Sequence, residues 1–339
     1  MRGRMQNPSI LVLHPIYTAL EEAEIRLEDA LDHVPDVTCS VKYLHRSADE
    51  KVLREHMREA NIILGFANRK LLKEATSLSW LHLPSAGADA YCDRSLYHRD
   101  DILLTNSSGV YGTPIAEHIL GMMLAFCRGI NGAIRKQARA EWGCSEYSDS
   151  LVELSGTTLG IIGLGDIGRA LAVRAKAMGM YVLGVRRRPV SPEYPIPEGV
   201  DEIFGEDGVP ETLSRSDHVA LCLPSTNRTK GLIGPERLRL MKPTAYIYNV
   251  GRGDVLDEKA LIEALLEKRL AGAGLDVFET EPVPSESPLW RMTNVIVSPH
   301  ISGISPLDTD RILSIFMENL RRYISGSDLI NVVDIDESY

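Results

Sequence analysis

The chain has 339 residues, 44% of them hydrophobic, with 37 Lys and Arg against 47 Asp and Glu for a formal charge of −10. That length suffices for two domains with full cores, and the acidity argues against nucleic acid or an anionic membrane as a partner. No apolar run reaches the roughly 18 residues of a membrane span, and the polar start Met1-Arg-Gly-Arg4 lacks the apolar core of a signal peptide. Cys39, Cys92, Cys127, Cys144 and Cys222 are scattered without a Cys-x-x-Cys pair. Such a set points to reduced thiols in a cytoplasmic protein, with no disulfide framework and no metal site.

In chain order, the N-terminal third alternates strand-like runs with helical patterns. The strands are Ile10–Leu13, Val37–Tyr43, Asn61–Leu64 and Ile102–Thr105, and the helices between them include Tyr17–Leu31 and Asp49–Ala60. This alternation predicts an α/β domain with a parallel sheet covered on both faces. The segment lacks a phosphate-binding glycine fingerprint, so its task differs from that of the region that follows.

Next comes an apolar helix, Pro114–Cys127, with Thr113 as the candidate N-cap and Pro114 at the first helical position. It is apolar nearly all round, which predicts burial between domains or subunits. A more polar helix is predicted over Gly132–Glu141. The second α/β region places strands at His218–Leu223, Ala245–Asn249, Ala273–Asp276 and Val295–Val297. The Pro-rich stretch Pro189–Pro197 reads as a surface loop. The amphipathic pattern Asp308–Ile324 needs a partner for its apolar face, and a return to the N-terminal domain would make that domain discontinuous.

The densest signal lies where this second region begins. A short apolar run enters Gly163-Leu-Gly-Asp-Ile-Gly168 and continues into the helical pattern Arg169–Met178. Strand, glycine turn and helix in that order are the context a dinucleotide fingerprint requires. Gly163 permits the tight turn, Gly165 lets the backbone approach a pyrophosphate, and Gly168 lets helix and strand pack closely. The helix N-terminus adds free N–H groups and a positive dipole end.

The following strand, Met180–Val185, runs into Arg186-Arg-Arg188. A carboxylate at this point would bind the ribose 2′-OH of NAD. Guanidinium groups instead match a 2′-phosphate, so NADP(H) is the preferred cofactor and NAD(H) the secondary one. The bland reading of the same run is a solvated basic loop.

Three polar residues fall at or beyond later strand ends, the edge where open α/β sheets bind ligands. Arg252 can hold a carboxylate in bidentate fashion. His300 can supply a proton near neutral pH. Glu281 can pair with that imidazole. Singly, each has an ordinary explanation: a surface ion pair, a loop residue, a turn. Together they suit hydride transfer to a 2-oxo acid.

These residues carry a resemblance that covers almost the whole chain. Gly163-x-Gly-x-x-Gly168, Asn249-x-x-Arg-Gly253, Gly274-Leu-Asp-Val-Phe-x-x-Glu-Pro282 and Ser298-Pro-His-x-x-Gly303 are similar to motifs of the D-2-hydroxyacid dehydrogenase family. The stretch from Asn106-x-x-Gly109 to Ala116-Glu-His118 resembles the family's interdomain crossing. The resemblance implies two doubly wound Rossmann-like domains. One is a discontinuous, flavodoxin-like substrate domain over residues 1–106 and 301–339, and the other a cofactor domain over 107–300. It implies Arg252 as carboxylate binder, His300 as acid/base and Glu281 as its partner. The loop at Ser85, Ala86, Gly87 and Ala88 would grip the substrate through backbone N–H groups. Cofactor contacts are implied for Gly163, Leu164, Gly165, Asp166, Ile167, Gly168, Arg186, Arg187, Arg188, Leu223, Pro224, Val250, Gly251, Asp276 and Gly303. Asp276 matches a position near the nicotinamide that influences pH behaviour, and a homodimer built on helix 114–127 is implied.

Arg186 in place of an acid resembles the family's NADPH-using glyoxylate and hydroxypyruvate reductases. Glu281 stands where formate dehydrogenases carry Gln, so formate oxidation is not expected. No regulatory domain is expected after residue 339, unlike long-form phosphoglycerate dehydrogenases. The predicted function is reduction of a 2-oxo acid such as glyoxylate, hydroxypyruvate or a longer 2-ketoacid to the D-2-hydroxy acid. The alternatives are a dinucleotide-sensing scaffold of the corepressor type with little turnover, and a dehydrogenase for a non-carboxylate substrate. Side-chain selectivity is expected from loops around Tyr17, Phe66 and Ser85 and from Trp290, with core packing as the competing role of Phe66 and Trp290.

Overall fold

The computed structural model describes residues 8–14, 39–143, 151–187, 191 and 195–337. The predicted helix at Tyr17–Leu31, Cys144, Arg188 and most of the Pro189–Pro197 loop lie outside these residues. The chain divides into two compact units, Met1–Val110 with Ile304–Tyr339, and Tyr111–Gly303. No helix among the described residues is long and apolar enough to cross a membrane.

The first unit is built on five parallel strands: β1 (Ser9–His14), β2 (Ser40–His45), β3 (Ile62–Gly65), β4 (Trp80–Leu83) and β5 (Leu103–Asn106). Their order is β2-β1-β3-β4-β5, the flavodoxin-like pattern. Strands β3 and β4 are buried at every position, as a sheet covered on both faces requires. Helix Glu50–Glu59 opens with Asp49 accepting from the Lys51 N–H, a cap worth about 1 kcal/mol.

Strand β4 is not evident from the sequence, because His82 interrupts its apolar run. The imidazole is nevertheless fully buried, with Nδ1 2.7 Å from the Thr105 hydroxyl and Nε2 3.2 Å from that of Ser107. Burial drives its pKa down to about 3, so it packs as a neutral ring. The last helix, Asp308–Ser325, lies on this sheet: Phe316 stacks on Trp80 with ring centroids 5.2 Å apart. Asn319 ties this helix to the segment that follows it, donating to the Ile330 carbonyl and accepting from the Ile330 N–H. Phe66 packs against the core of this unit.

The second unit has seven parallel strands: β6 (Thr158–Ile162), β7 (Tyr181–Val185), β8 (Glu202–Phe204), β9 (His218–Leu221), β10 (Tyr246–Asn249), β11 (Gly272–Leu275) and β12 (Val295–Val297). The order β12-β11-β10-β9-β6-β7-β8 reverses direction between β6 and β9, which makes that crevice the topological switch point of a Rossmann sheet. Strand β8 has only three half-buried residues, too few for a visible alternation.

The helix predicted from Pro114 begins two residues earlier. It spans Gly112–Cys127 with Tyr111 as N-cap, so Thr113 is not the cap; its hydroxyl instead accepts from Arg174 at 3.1 Å. Pro114 is tolerated because first-turn N–H groups have no helical acceptor anyway. The next helix is Ile130–Gln137, displaced from Gly132–Glu141 because Gly129, at φ 66°, starts it early.

Candidate active site

The glycine turn closes β6 at the switch point. Gly163 has φ 107°, a conformation that favours glycine, and a Cβ there would lie 2.7 Å from the Cys222 carbonyl oxygen. A Cβ on Gly168 would stand 2.2 Å from the Gly163 carbonyl oxygen, so helix Asp166–Ala177 can reach the strand only through glycine. Gly165 differs: a side chain there would meet nothing within 4 Å. The backbone at this helix N-terminus is therefore open on the side a pyrophosphate would approach. Leu164 is buried, with its side chain over Gly184, and Ile167 is half-buried.

Beside the turn lies a cavity of about 480 Å³ lined by Asp166, Arg169, Ala170, Val173, Arg186, Pro195, Pro197 and Glu198. Arg186 extends from the end of β7, and its Nη1 donates to the Pro195 carbonyl at 3.0 Å. The open glycine backbone and the two guanidinium groups fit a phosphate-bearing dinucleotide. Arg169 is a cavity-lining cation that the sequence did not single out, since one residue past the fingerprint it reads as the solvated face of a helix. Arg187 is exposed and does not line the cavity, and Arg188 is outside the described residues.

Strand β10 ends in a loop held by Asn249. Its side-chain amide donates to the Arg252 carbonyl at 2.9 Å, and its Oδ1 accepts from the Gly251 N–H at 3.2 Å. The motif's asparagine thus shapes the loop that presents Arg252. Glycines on both sides allow it to lie close to neighbouring backbone. A Cβ at Gly251 would be 2.4 Å from the Leu223 carbonyl oxygen, and one at Gly253 would be 1.9 Å from that of Phe278. Val250 is buried, and Pro224 accepts at its carbonyl from Thr229. Leu223 and Gly251 therefore sit together with Gly163 at the crevice.

The structure brings His300 and Glu281 together across 19 residues, with Nδ1 2.8 Å from Oε2. The other carboxylate oxygen accepts from the Phe278 N–H at 3.0 Å, which fixes its direction. A carboxylate accepts only, so Nδ1 carries hydrogen and Nε2 is the ring atom left for proton transfer. Asp276 sits at the end of β11, fully buried. Burial alone would raise its pKa; hydrogen bonds from Ser298, Ser302 and Ile301 outweigh that and hold it below the usual carboxylate range. Gly303 packs against the ring of Tyr111. Trp290 is half-exposed, with its indole N–H on the Pro284 carbonyl at 2.9 Å.

Ser85, Ala86 and Gly87 belong to the first unit, after β4. Their carbonyls are all engaged: Ser85 by the Ser107 N–H at 2.9 Å, Ala86 by Asn106 at 2.6 Å and Gly87 by the Ser85 hydroxyl at 2.6 Å. Among the described residues, their N–H groups make no backbone hydrogen bond.

The profile described as "D-isomer specific 2-hydroxyacid dehydrogenase, NAD binding domain" matches residues 120–302. A glyoxylate reductase from Pyrococcus furiosus is 34% identical over 316 residues, covering 90% of this chain and 85% of that protein. A D-3-phosphoglycerate dehydrogenase from Methanocaldococcus jannaschii is 34% identical over 84% of this chain, which spans about half (53%) of that protein's length. In three dimensions the chain is similar to an NADPH-dependent glyoxylate/hydroxypyruvate reductase from Sinorhizobium meliloti, solved in complex with NADP and sulfate. The TM-score is 0.79 at 26% identity, with 98% of this chain and 100% of that chain covered. The chain belongs to the D-isomer specific 2-hydroxyacid dehydrogenase family, whose members are oxidoreductases that bind a nicotinamide dinucleotide.

Proposed function

We propose that this protein reduces a small 2-oxo acid to the D-2-hydroxy acid with NADPH as the preferred cofactor. The observation that carries the reading is the His300–Glu281 pair, 2.8 Å apart at a strand end of the sheet that holds the glycine turn. The bound cofactor supplies hydride. Arg252 binds the substrate carboxylate and polarises the carbonyl, and the N–H groups of Ser85, Ala86 and Gly87 are the candidate substrate donors of the first unit. His300 delivers a proton from Nε2 to the carbonyl oxygen, and Glu281 stabilises the imidazolium before transfer and orients the ring afterwards. Such acid catalysis is worth about 10²- to 10⁴-fold in rate.

NADPH is favoured because Arg186 and Arg169 line one cavity beside the turn; Asp166 and Glu198 in the same lining moderate that positive charge. Relatives named glyoxylate reductase, and the structural relative solved with NADP, support both halves of the reading. The first unit then serves as the substrate domain, and the active protein is a cytoplasmic homodimer.

The test is initial rates with glyoxylate, hydroxypyruvate, pyruvate and a branched 2-oxo acid, each with NADPH and NADH. Turnover that is faster with NADPH supports the reading and ranks the substrates. Equal rates with both cofactors defeat the NADPH preference. Absence of turnover despite NADPH binding defeats the reductase and favours a dinucleotide-sensing scaffold.

A further inference from the structure

His300 occupies the left-handed region of the backbone at φ 55°, which a residue with a side chain adopts only when its surroundings impose it. The surroundings are specific. Asp276 Oδ1 accepts from the Ile301 N–H and Oδ2 from the Ser302 N–H, each at 3.0 Å. On the other side of His300, the Ser298 hydroxyl donates to Asp276 Oδ1 at 2.6 Å, and the His300 N–H donates to the Ser298 carbonyl at 3.0 Å. One buried carboxylate therefore ties down both flanks of the candidate proton donor.

The chain of contacts continues beyond Asp276. A hydroxyl has one hydrogen, and that of Ser298 is committed to Asp276. The contact of 2.9 Å between Ser298 Oγ and His118 Nε2 must then be donated by the imidazole. His118 projects from helix Gly112–Cys127, and its Nε2 lies 3.9 Å from Asp276 Oδ1. This helix is anchored independently, with Met122 against Gly274 of β11. A rigid helix is thus linked through two side chains to the carboxylate that sets the His300 backbone.

We infer that His118 and Ser298 are positioning residues for His300, acting through Asp276; the inference rests on His300 being the proton donor. Neither side chain needs to touch substrate. Their effect is on placement, and an error of about 1 Å in a reacting group costs roughly 10²-fold in rate.

The experiment compares His118→Leu, His118→Gln, Ser298→Ala and His300→Ala with the wild type, each screened by thermal melting and by NADPH binding. For His118→Leu and Ser298→Ala, kcat should fall about tenfold to a hundredfold while the 2-oxo acid KM and the NADPH Kd stay within about twofold. His118→Gln keeps an N–H donor for Ser298 and should recover most of the loss. Without substrate, exchange of the Ile301 and Ser302 amides should accelerate in His118→Leu while amides of the glycine turn are unchanged. Wild-type kcat and exchange in both His118→Leu and Ser298→Ala would overturn the inference. So would equal losses of kcat and NADPH affinity with no recovery by Gln, which mark a general structural role. Normal turnover in His300→Ala would instead remove the proton-donor assignment itself, and the positioning inference with it.

Discussion

The two sheets of this chain follow the same rules and differ in what stands at their carboxyl ends. The first runs β2-β1-β3-β4-β5 and the second β12-β11-β10-β9-β6-β7-β8, both entirely parallel. Each buries a histidine within a strand: His82 in β4 and His218 in β9, the latter with Nδ1 3.1 Å from the Tyr248 hydroxyl. Only the second sheet carries a glycine fingerprint, with Arg252, Glu281 and His300 after its later strands. Topology alone does not assign the chemistry; the residues at the edge do. A histidine buried inside a strand is a packing element, whereas one held at a strand end by a carboxylate, as His300 is by Glu281, keeps a ring nitrogen for the proton transfer proposed above.

The contrast is sharpest when the two kinds of histidine are replaced in parallel. His300→Ala should lower kcat by about 10²- to 10⁴-fold with NADPH binding and melting temperature almost unchanged. His82→Gln should leave kcat near wild type. A fall in turnover with His82→Gln comparable to that of His300→Ala would dissolve the distinction. Arg252→Ala is expected to be next in size. Loss of a charge-assisted bond of about 1.5–3 kcal/mol should lower kcat/KM for the 2-oxo acid by roughly 10- to 100-fold, with KM rising. Unchanged steady-state constants would take Arg252 out of the site.

The legible parts of the sequence were those in which local chemistry and function coincide. The fingerprint could be read because Gly163 and Gly168 each answer a local steric demand while Gly165 leaves the backbone open, and the strand before them and helix after them supply the context. The positions of Arg252, Glu281 and His300 beyond strand ends could be read because those ends are visible as the limits of apolar runs; their chemical roles belong to the proposal. Strand β4 was hidden by His82, whose partners Thr105 and Ser107 are more than 20 residues away. The link from His118 to Ser298 was hidden more deeply, across 180 residues. Hydrogen bonds of that range leave no periodicity. Arg169 was obscured for another reason, since an arginine on an amphipathic helix is ordinary until a cavity is found beside it.

Cofactor choice gives a smaller effect confined to the second sheet. Arg186→Asp replaces a cation in the cavity with an acid that can accept from a ribose hydroxyl and repels a phosphate. The NADPH/NADH ratio of kcat/KM should fall about tenfold or more, since 1.4 kcal/mol corresponds to each factor of ten. Arg169→Ala should move the ratio in the same direction by less. A constant ratio in both would place phosphate reading elsewhere on the chain.

The smallest effect separates the two sheets by stability. Burial lowers the His82 pKa to about 3 and the His218 pKa to about 4, whereas an unfolded imidazole titrates near 6.5. As pH falls below about 6.5, the unfolded chain takes up protons that the folded chain refuses, so stability declines with acidification. The decline ends near pH 4 for His218 and near pH 3 for His82. Between pH 7 and 5, each buried ring should cost about 2 kcal/mol of unfolding free energy. Urea unfolding at the two pH values measures it, and Trp80, stacked on Phe316, reports the first unit by fluorescence. His82→Gln should flatten the pH dependence of that signal and leave the second unit's dependence intact, while His218→Gln should do the reverse. If His82→Gln leaves the slope of the Trp80 signal unaltered, the imidazole in β4 is charged in the folded chain, and the two sheets do not share a neutral buried histidine.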